Sequence, residues 1–292
     1  MRARMTLESA GDASAIRLVV NADDFGLSPV ISRGILAAHR NGIVTSTSLL
    51  GNTPGLDEAR AMLASAPALG VGVHLTLVGG EPVSDPAAIP SLLAPDGRSL
   101  HANGTELIGA WARRRIVGAE VERELDAQVA RVRDAGIAVD HLDTHHHLGF
   151  RPVVGQAVEA VARRHGIAGI RSAVERPTLA WATDPLRGLE AGLLTGLAWL
   201  TRRQLGALRH GPQSWGFVEV GRLDEVRILE IIGRLGPGPH ELICHPGEED
   251  AAPGEAPGRY QRPGEIAALT SPRVRRALEQ RGVILCRWGE LF

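Results

Sequence analysis

The chain contains no lysine: all 32 of its basic residues are arginine, set against 33 acidic residues for a formal net charge of −1. A GC-rich coding bias explains the arginine more simply than function does. The near-neutral balance argues against nucleic acid or an anionic membrane surface as the main partner. Cysteine is almost absent too. Cys244 and Cys286 are too few for a disulfide framework and suit a reducing cytosol. Long apolar runs are missing: the most apolar helical passage, Leu193 to Leu200, is broken by Thr195 and Gly196 and is too short to cross a bilayer. Residues 1–14 are polar and mixed, without the apolar core of a signal peptide, so a flexible N-terminus on a soluble, cytoplasmic protein is expected. No Walker A pattern, His-Glu-x-x-His, Cys-x-x-Cys or Gly-x-Ser-x-Gly occurs. Nucleotide hydrolysis and serine-nucleophile hydrolysis therefore have no support.

What is present is a long alternation of strand-like and helix-like segments in a chain of 292 residues, 44% of them hydrophobic, enough for a large core. Apolar, β-prone stretches fall at Ile16–Val20, Gly42–Leu50, Gly70–Leu77, around Ile137–Leu142 and on into the His run, and at Ile167–Ser172, Ser214–Val220, His240–Cys244 and Val283–Cys286. Helical periodicity predicts helices at Ile31–Arg40, Leu56–Ser65, Glu120–Ala135, Pro152–His165, Glu225–Leu235 and 263–281, the last broken near Ser271-Pro272. Leu186–Leu208 reads as one or two amphipathic helices, packed on the barrel or on a second copy in a homodimer. Two Gly/Pro-rich passages, 78–104 and 248–262, have the length of lids or binding loops.

Seven or eight β-α units with nearly continuous apolar strands imply a parallel sheet covered on both faces. Polar residues sit at or just past the C-terminal ends of five strands: Asp23/Asp24, His74, His145, Arg171 and His245. Barrel enzymes assemble their sites from several strand ends, whereas an open sheet concentrates its site at one switch point. A single-domain, TIM-like (β/α) barrel, allowing for distortion, is the expected α/β fold.

The same positions carry the chemistry. Carboxylate plus imidazole is what a borderline divalent cation such as Zn²⁺ prefers, and three protein ligands with an open position is the catalytic pattern. Asp23 and Asp24 are adjacent after a strand, and the next helix starts only beyond Leu27, so they are poorly placed as its caps. Two neighbouring carboxylates can divide labour, one on a metal and the other a general base; sequence position does not say which is which. His74 alone would read as an ordinary rim histidine. The run His141-Leu142-Asp143-Thr144-His145-His146-His147 is stronger, because a strand places 141, 143, 145 and 147 on one face. Asp143 also fits a role behind a ligand, fixing an imidazole tautomer. His245 could supply a proton or stabilise an oxyanion. Arg171 could clamp substrate or orient a carboxylate.

Five segments resemble the YdjC-like carbohydrate deacetylases, the family of chitooligosaccharide and hopanoid-associated deacetylases. They are Val20–Ser28, Asn41–Thr47, Gly72–Leu75, His141–His147 and Glu241–Gly247, in family order across roughly residues 16 to 287. The resemblance implies a distorted (β/α) barrel that removes N-acetyl groups from amino sugars with one divalent cation, Zn²⁺ or Mg²⁺. It implies Asp24, His74 and His145 as metal ligands, Asp23 as base, His245 as general acid, and His147, Arg171 and Asp143 facing the substrate. One departure is Gly149, where some relatives carry a further His. The same site would also suit another amide or an ester, or a non-catalytic sugar-binding relative.

Overall fold

Every strand pairing in the sheet is parallel. The computed structural model describes residues 14–291 apart from 114, 172–173, 179–180, 182–183, 187, 190, 194, 197–210 and 250–257. The strands are β1 (Ile16–Phe25), β2 (Ser46–Leu50), β3 (Gly70–Leu75), β4 (His141–Thr144), β5 (Gly169–Ile170), β6 (Gln213–Trp215), β7 (Gly238–Cys244) and β8 (Ile284–Leu285). Their spatial order is β5-β4-β3-β2-β1-β7-β6. β7 runs along one edge of β1 from Ile16 to Ala22. The other edge is shared, with β8 at Arg17 and Leu18 and β2 from Asn21 onward. The two ends of the sheet meet just past β5, where Gly211 N donates to Ile170 O at 2.7 Å and Glu175 forms an isolated parallel bridge with Ser214. The result is the expected single α/β unit, a barrel distorted at the β5–β6 seam.

The helices on the outside are α1 (Pro29–Asn41), α2 (Leu56–Ala64), α3 (Gly104–Ala112), α4 (Gly118–Asp134), α5 (Pro152–His165), α6 (Glu225–Arg234), α7 (Arg262–Leu269) and α8 (Pro272–Gln280). Local chemistry sets several ends. Ser28 caps α1 with its side chain on Ile31 N, ahead of Pro29 in the first turn. Asp224 caps α6 through Arg227 N, and Gly166 ends α5 in the left-handed conformation that glycine adopts without penalty. One continuous apolar core joins these helices to the strands, including Val20, Phe25, Leu49, Val73, Leu142, Val129 and Val158.

Three differences from the expected elements bear on the site. β1 does not stop at Val20; it continues through Asn21-Ala22-Asp23-Asp24 to Phe25, with an irregularity between Ala22 and Phe25. Bulges of this kind re-aim side chains at barrel rims. β4 ends at Thr144, and the His run is a tight 3₁₀ turn with His146 and His147 at φ of 54° and 53°. The expected common face of 141, 143, 145 and 147 therefore breaks at 145: left-handed backbone abolishes the two-residue alternation. Finally, α3 was not expected from sequence, and it delivers residues to the site.

The 78–104 passage is held down rather than loose. Val78 bridges His101, Leu93 bridges Leu100, and Ile89, Leu92 and Leu100 are in the core. On α4, the Glu124 carboxylate accepts from Val83 N and Ser84 N, both at 2.9 Å, and Gln128 bonds both N and O of Thr76. Much of 186–208 and of 248–262 lies outside the described residues, as does nearly all of 1–14. Among the described residues no helix is long and apolar enough to cross a membrane.

Candidate active site

Two carboxylates that are neighbours in sequence meet opposite surroundings. Both are buried, at 1% exposure. Asp23 is saturated: Arg171 grips both its oxygens, Nη1 on Oδ2 and Nη2 on Oδ1 at 2.7 Å each, and Asn21 Nδ2 donates to Oδ1 at 2.9 Å. Asp24 sits at φ 74°, a left-handed conformation that costs a non-glycine residue energy and that Asp tolerates better than most. Its Oδ2 accepts from Arg262 Nη2 at 3.0 Å. Its Oδ1 is buried and accepts no hydrogen bond from the described residues.

That orphaned oxygen is aimed at two imidazoles. His145 Nδ1 stands 3.3 Å away, His74 Nε2 stands 3.6 Å away, and the two ring nitrogens are 3.1 Å from each other. The Asp24, His74 and His145 donor atoms thus converge on one point. One carboxylate oxygen and two imidazole nitrogens packed this closely form a set that suits a divalent cation. His74 is oriented from behind: Asp143 Oδ1 lies 2.9 Å from its Nδ1, which keeps a proton on Nδ1 and directs Nε2 to the site. A second group, Asp23, His74 and Asp143, also clusters. There the Arg171 guanidinium already supplies the positive charge, on Asp23 and on Asp143 Oδ2 at 2.6 Å.

The charges follow this geometry. Burial opposes the negative charge on Asp23 and Asp24, yet Arg171 and its hydrogen bonds hold Asp23 below the usual carboxylate range. His145 and Arg262 do the same for Asp24. Burial likewise opposes charge on His74, but Asp143 at its back, with Asp23 and Asp24, carries it up to about 9. His245 goes the other way. Burial outweighs the pull of Asp23 and Asp24, and it falls to about 4. Its Nε2 is 3.9 Å from Asp23 Oδ2, and its Nδ1 accepts or donates nothing among the described residues.

Above these groups opens a cavity of about 480 Å³ whose wall includes Asp23, Asp24, His74, His145, His147 and His245. His147 packs edge-on against Phe217, ring centroids 4.2 Å apart. Arg171 and Asp143 correct the sequence reading. Neither is on the cavity wall, because their polar atoms face one another, Asp23, His74, Ser48 and Glu241 beneath it. From there their contacts run to Asp23 and His74. Gly149 is off the wall as well; its N–H donates to Thr144 Oγ1 at 2.8 Å and closes the His turn.

Several site residues escaped sequence reasoning. Asn103, Thr105 and Ile108 from the cap and first half of α3, Phe217 and Val220 of the turn after β6, and Tyr260 also line the wall, as do Arg151 and Arg259. Arg262, fully buried, meets Asp24. No sequence signal pointed to Arg262; in the structure Gly247 leaves its space, since a Cβ there would come within 2.9 Å of Arg262 Cδ.

Fold and site together define a distorted (β/α) barrel whose strand ends gather one carboxylate and two imidazoles beside a second, arginine-held carboxylate. The chain belongs to the YdjC-like family: the family model described as YdjC-like protein matches residues 17–280. It is 33% identical over 279 residues to a carbohydrate deacetylase of Geobacillus stearothermophilus, covering 94% of this chain and 97% of that one. It is also 33% identical over 271 residues to a chitooligosaccharide deacetylase of Salmonella paratyphi B, covering 91% and 95%. A crystal structure of a candidate cellobiose-phosphate cleavage protein from Enterococcus faecalis V583 superposes with a TM-score of 0.73 at 27% identity, over 95% of this chain and 99% of that one.

Proposed function

We propose that this protein is a metal-dependent hydrolase that removes N-acetyl groups from amino sugars, releasing acetate. The observation that carries the proposal is the convergence of Asp24 Oδ1, His74 Nε2 and His145 Nδ1 beside Asp23, at the floor of an open cavity. The names of the two full-length relatives, a carbohydrate and a chitooligosaccharide deacetylase, supply the substrate class.

Asp24, His74 and His145 would hold one divalent cation, Zn²⁺ or Mg²⁺. Such an ion, when bound, polarises an acyl carbonyl and lowers the pKa of water. The chain's own groups do the rest. Asp23 faces the same space and takes the proton of the attacking water. Arg171, paired to both of its oxygens, fixes its direction. As the C–N bond breaks, the amine nitrogen needs a proton. His245, 3.9 Å from Asp23, is neutral at pH 7, so that proton reaches it from Asp23 before passing to the amine. Water and the acetamide are consumed; acetate and the free amine result. Phe217, Tyr260, Val220 and Ile108 offer apolar surface to a sugar ring, with His147, Asn103 and Thr105 as polar contacts. We place the enzyme in the cytoplasm, in keeping with two buried free thiols, Cys244 and Cys286.

The test is acetate release from N-acetylglucosamine oligomers with added metal, beside a panel of other amides and esters. Asp23→Asn should keep its cation and lose turnover by about 10²–10⁴-fold. Near-wild-type turnover in that variant would refute the base assignment. Faster turnover of an unrelated ester would move the reading to that substrate, and sugar binding without acetate release would make this a non-catalytic relative.

A further inference from the structure

Arg262 is a fully buried charged side chain that the reaction scheme leaves unused. It stands at the first turn of α7 and is 0% exposed. A buried guanidinium is costly unless its charge and donors are answered, and Arg262 has partners at the site. Nη2 donates to Asp24 Oδ2 at 3.0 Å, Nη1 donates to the His245 carbonyl at 3.4 Å, and the Tyr260 ring covers the group at 4.2 Å. Gly247 makes the room, since a Cβ at that position would meet Arg262 Cδ at 2.9 Å and Cβ at 3.2 Å.

The two site arginines differ in how many oxygens they occupy. Arg171 engages both oxygens of Asp23, so a cation at either oxygen would be set against a guanidinium, while a lone pair can still take a proton. Arg262 takes one oxygen of Asp24 and leaves the other without a donor. Resting on the metal-site reading above, we infer that Arg262 is a positioning residue that makes Asp24 a one-oxygen metal ligand and ties it to the backbone of His245. The adjacent carboxylates are thereby sorted by their arginines, one toward metal and one toward proton transfer. Arg262 touches neither substrate nor cation; it acts through Asp24.

Cobalt(II) is the probe, because its visible absorption reports coordination number and geometry, which simple packing damage leaves alone. Metal-free wild type, Arg262→Gln, Arg262→Lys and Gly247→Ala would be titrated with Co²⁺, with circular dichroism as the check on folding. Arg262→Gln frees Asp24 Oδ2, so its cobalt band should weaken as the carboxylate closes on the ion through both oxygens. Its Kd should rise about 10–100-fold, as for other residues that orient a ligand. Arg262→Lys retains a charged donor and should recover most of the band and the affinity. Gly247→Ala pushes Arg262 from its seat and should move the band in the same direction by less, which keeps the test alive if Arg262→Gln does not fold. A wild-type band and Kd in both Arg262→Gln and Gly247→Ala would overturn the inference. So would Arg262→Lys behaving like Arg262→Gln. A wild-type chain that takes up no cobalt overturns the metal site and this inference together. One that takes up cobalt but releases no acetate overturns only the deacetylase reading.

Discussion

The two sides of the barrel are built differently. From β1 to β4 the ladders are long: β1 pairs β7 over seven residues, β2 pairs β3 over five, and β3 pairs β4 over four, with one irregularity in the β1–β2 pair between Ala22 and Phe25. Asp23, Asp24, His74 and His145 are at or next to the ends of these strands. On the other side β5 has two residues and β6 three, joined by a single bridge at Glu175–Ser214. This side contributes the wall residues Phe217 and Val220 from a turn rather than from a strand. Chemistry that depends on tenths of an ångström is mounted on paired backbone, while contacts that must suit a ligand's shape are mounted on turns, where sequence can vary without disturbing the sheet. Substitutions on the first side should therefore act on the cation and on kcat, and those on the second side on KM.

The largest effect is expected from His74→Ala. It removes a ligand from the middle of the converging triad, so cation uptake should be lost and acetate release should drop to background. Elemental analysis after dialysis measures the first, and substantial metal retention would show that β3 is not part of the centre. Asp143→Asn is a step milder. It leaves all three donors but weakens the hold on His74 Nδ1, and metal affinity should fall about 10–100-fold. Calorimetric titration reads this directly. An effect on KM with unchanged metal affinity would instead return Asp143 to the role of sugar contact that its place in the His run first suggested.

Much of this division was legible in the sequence. The alternation of apolar strands and periodic helices gave the barrel, and the ends of α4, α5 and α6 fell within a few residues of their expected places, because caps and periodicity are local. Asp23, Asp24, His74 and His145 stood out as candidates because each falls at or just past the end of an apolar, strand-forming stretch, but only the family resemblance separated Asp24 from Asp23. What stayed hidden depends on contacts between distant segments or on φ. The left-handed turn at His146 and His147 defeats an extended reading of 141–147, and no period announces it. Asp143 and Arg171 look like substrate contacts until the pairing of β3 with β4 and of β4 with β5 sets their polar atoms against Asp23 and His74, beneath the cavity. Arg262 is 238 residues from the carboxylate it holds, and only the fold brings them together.

On the seam side, Phe217→Ala should raise KM for the oligosaccharide about tenfold, the size of one lost aromatic contact, and leave kcat nearly unchanged. Initial-rate kinetics across substrate concentration separate the two parameters. A fall in kcat with KM constant would mean that Phe217 acts through His147, against which it packs at 4.2 Å, and the contrast between the two sides would fail at this point.

The smallest effect concerns how the seam is held. Glu175 Oε1 accepts from Gly216 N at 2.7 Å and Phe217 N at 2.9 Å, fixing the turn that carries the wall. Burial, with Glu219 nearby, raises this carboxyl from 4.5 to about 8. In the native state the group therefore keeps its proton through a range in which the unfolded chain has lost it. The native state binds more protons than the unfolded state between about pH 4.5 and 8, so stability must decline as pH rises across that window. Glu175→Gln cannot ionise, and its amide oxygen can still accept from both backbone N–H groups. The variant should match the wild type in Tm near pH 4.5 and exceed it at pH 8 and above. Thermal denaturation at a series of pH values checks this. Parallel Tm curves for the two proteins would mean that Glu175 does not hold an extra proton, and that the seam is maintained by a charged carboxylate, as the β1–β4 side is by Asp23 and Asp143.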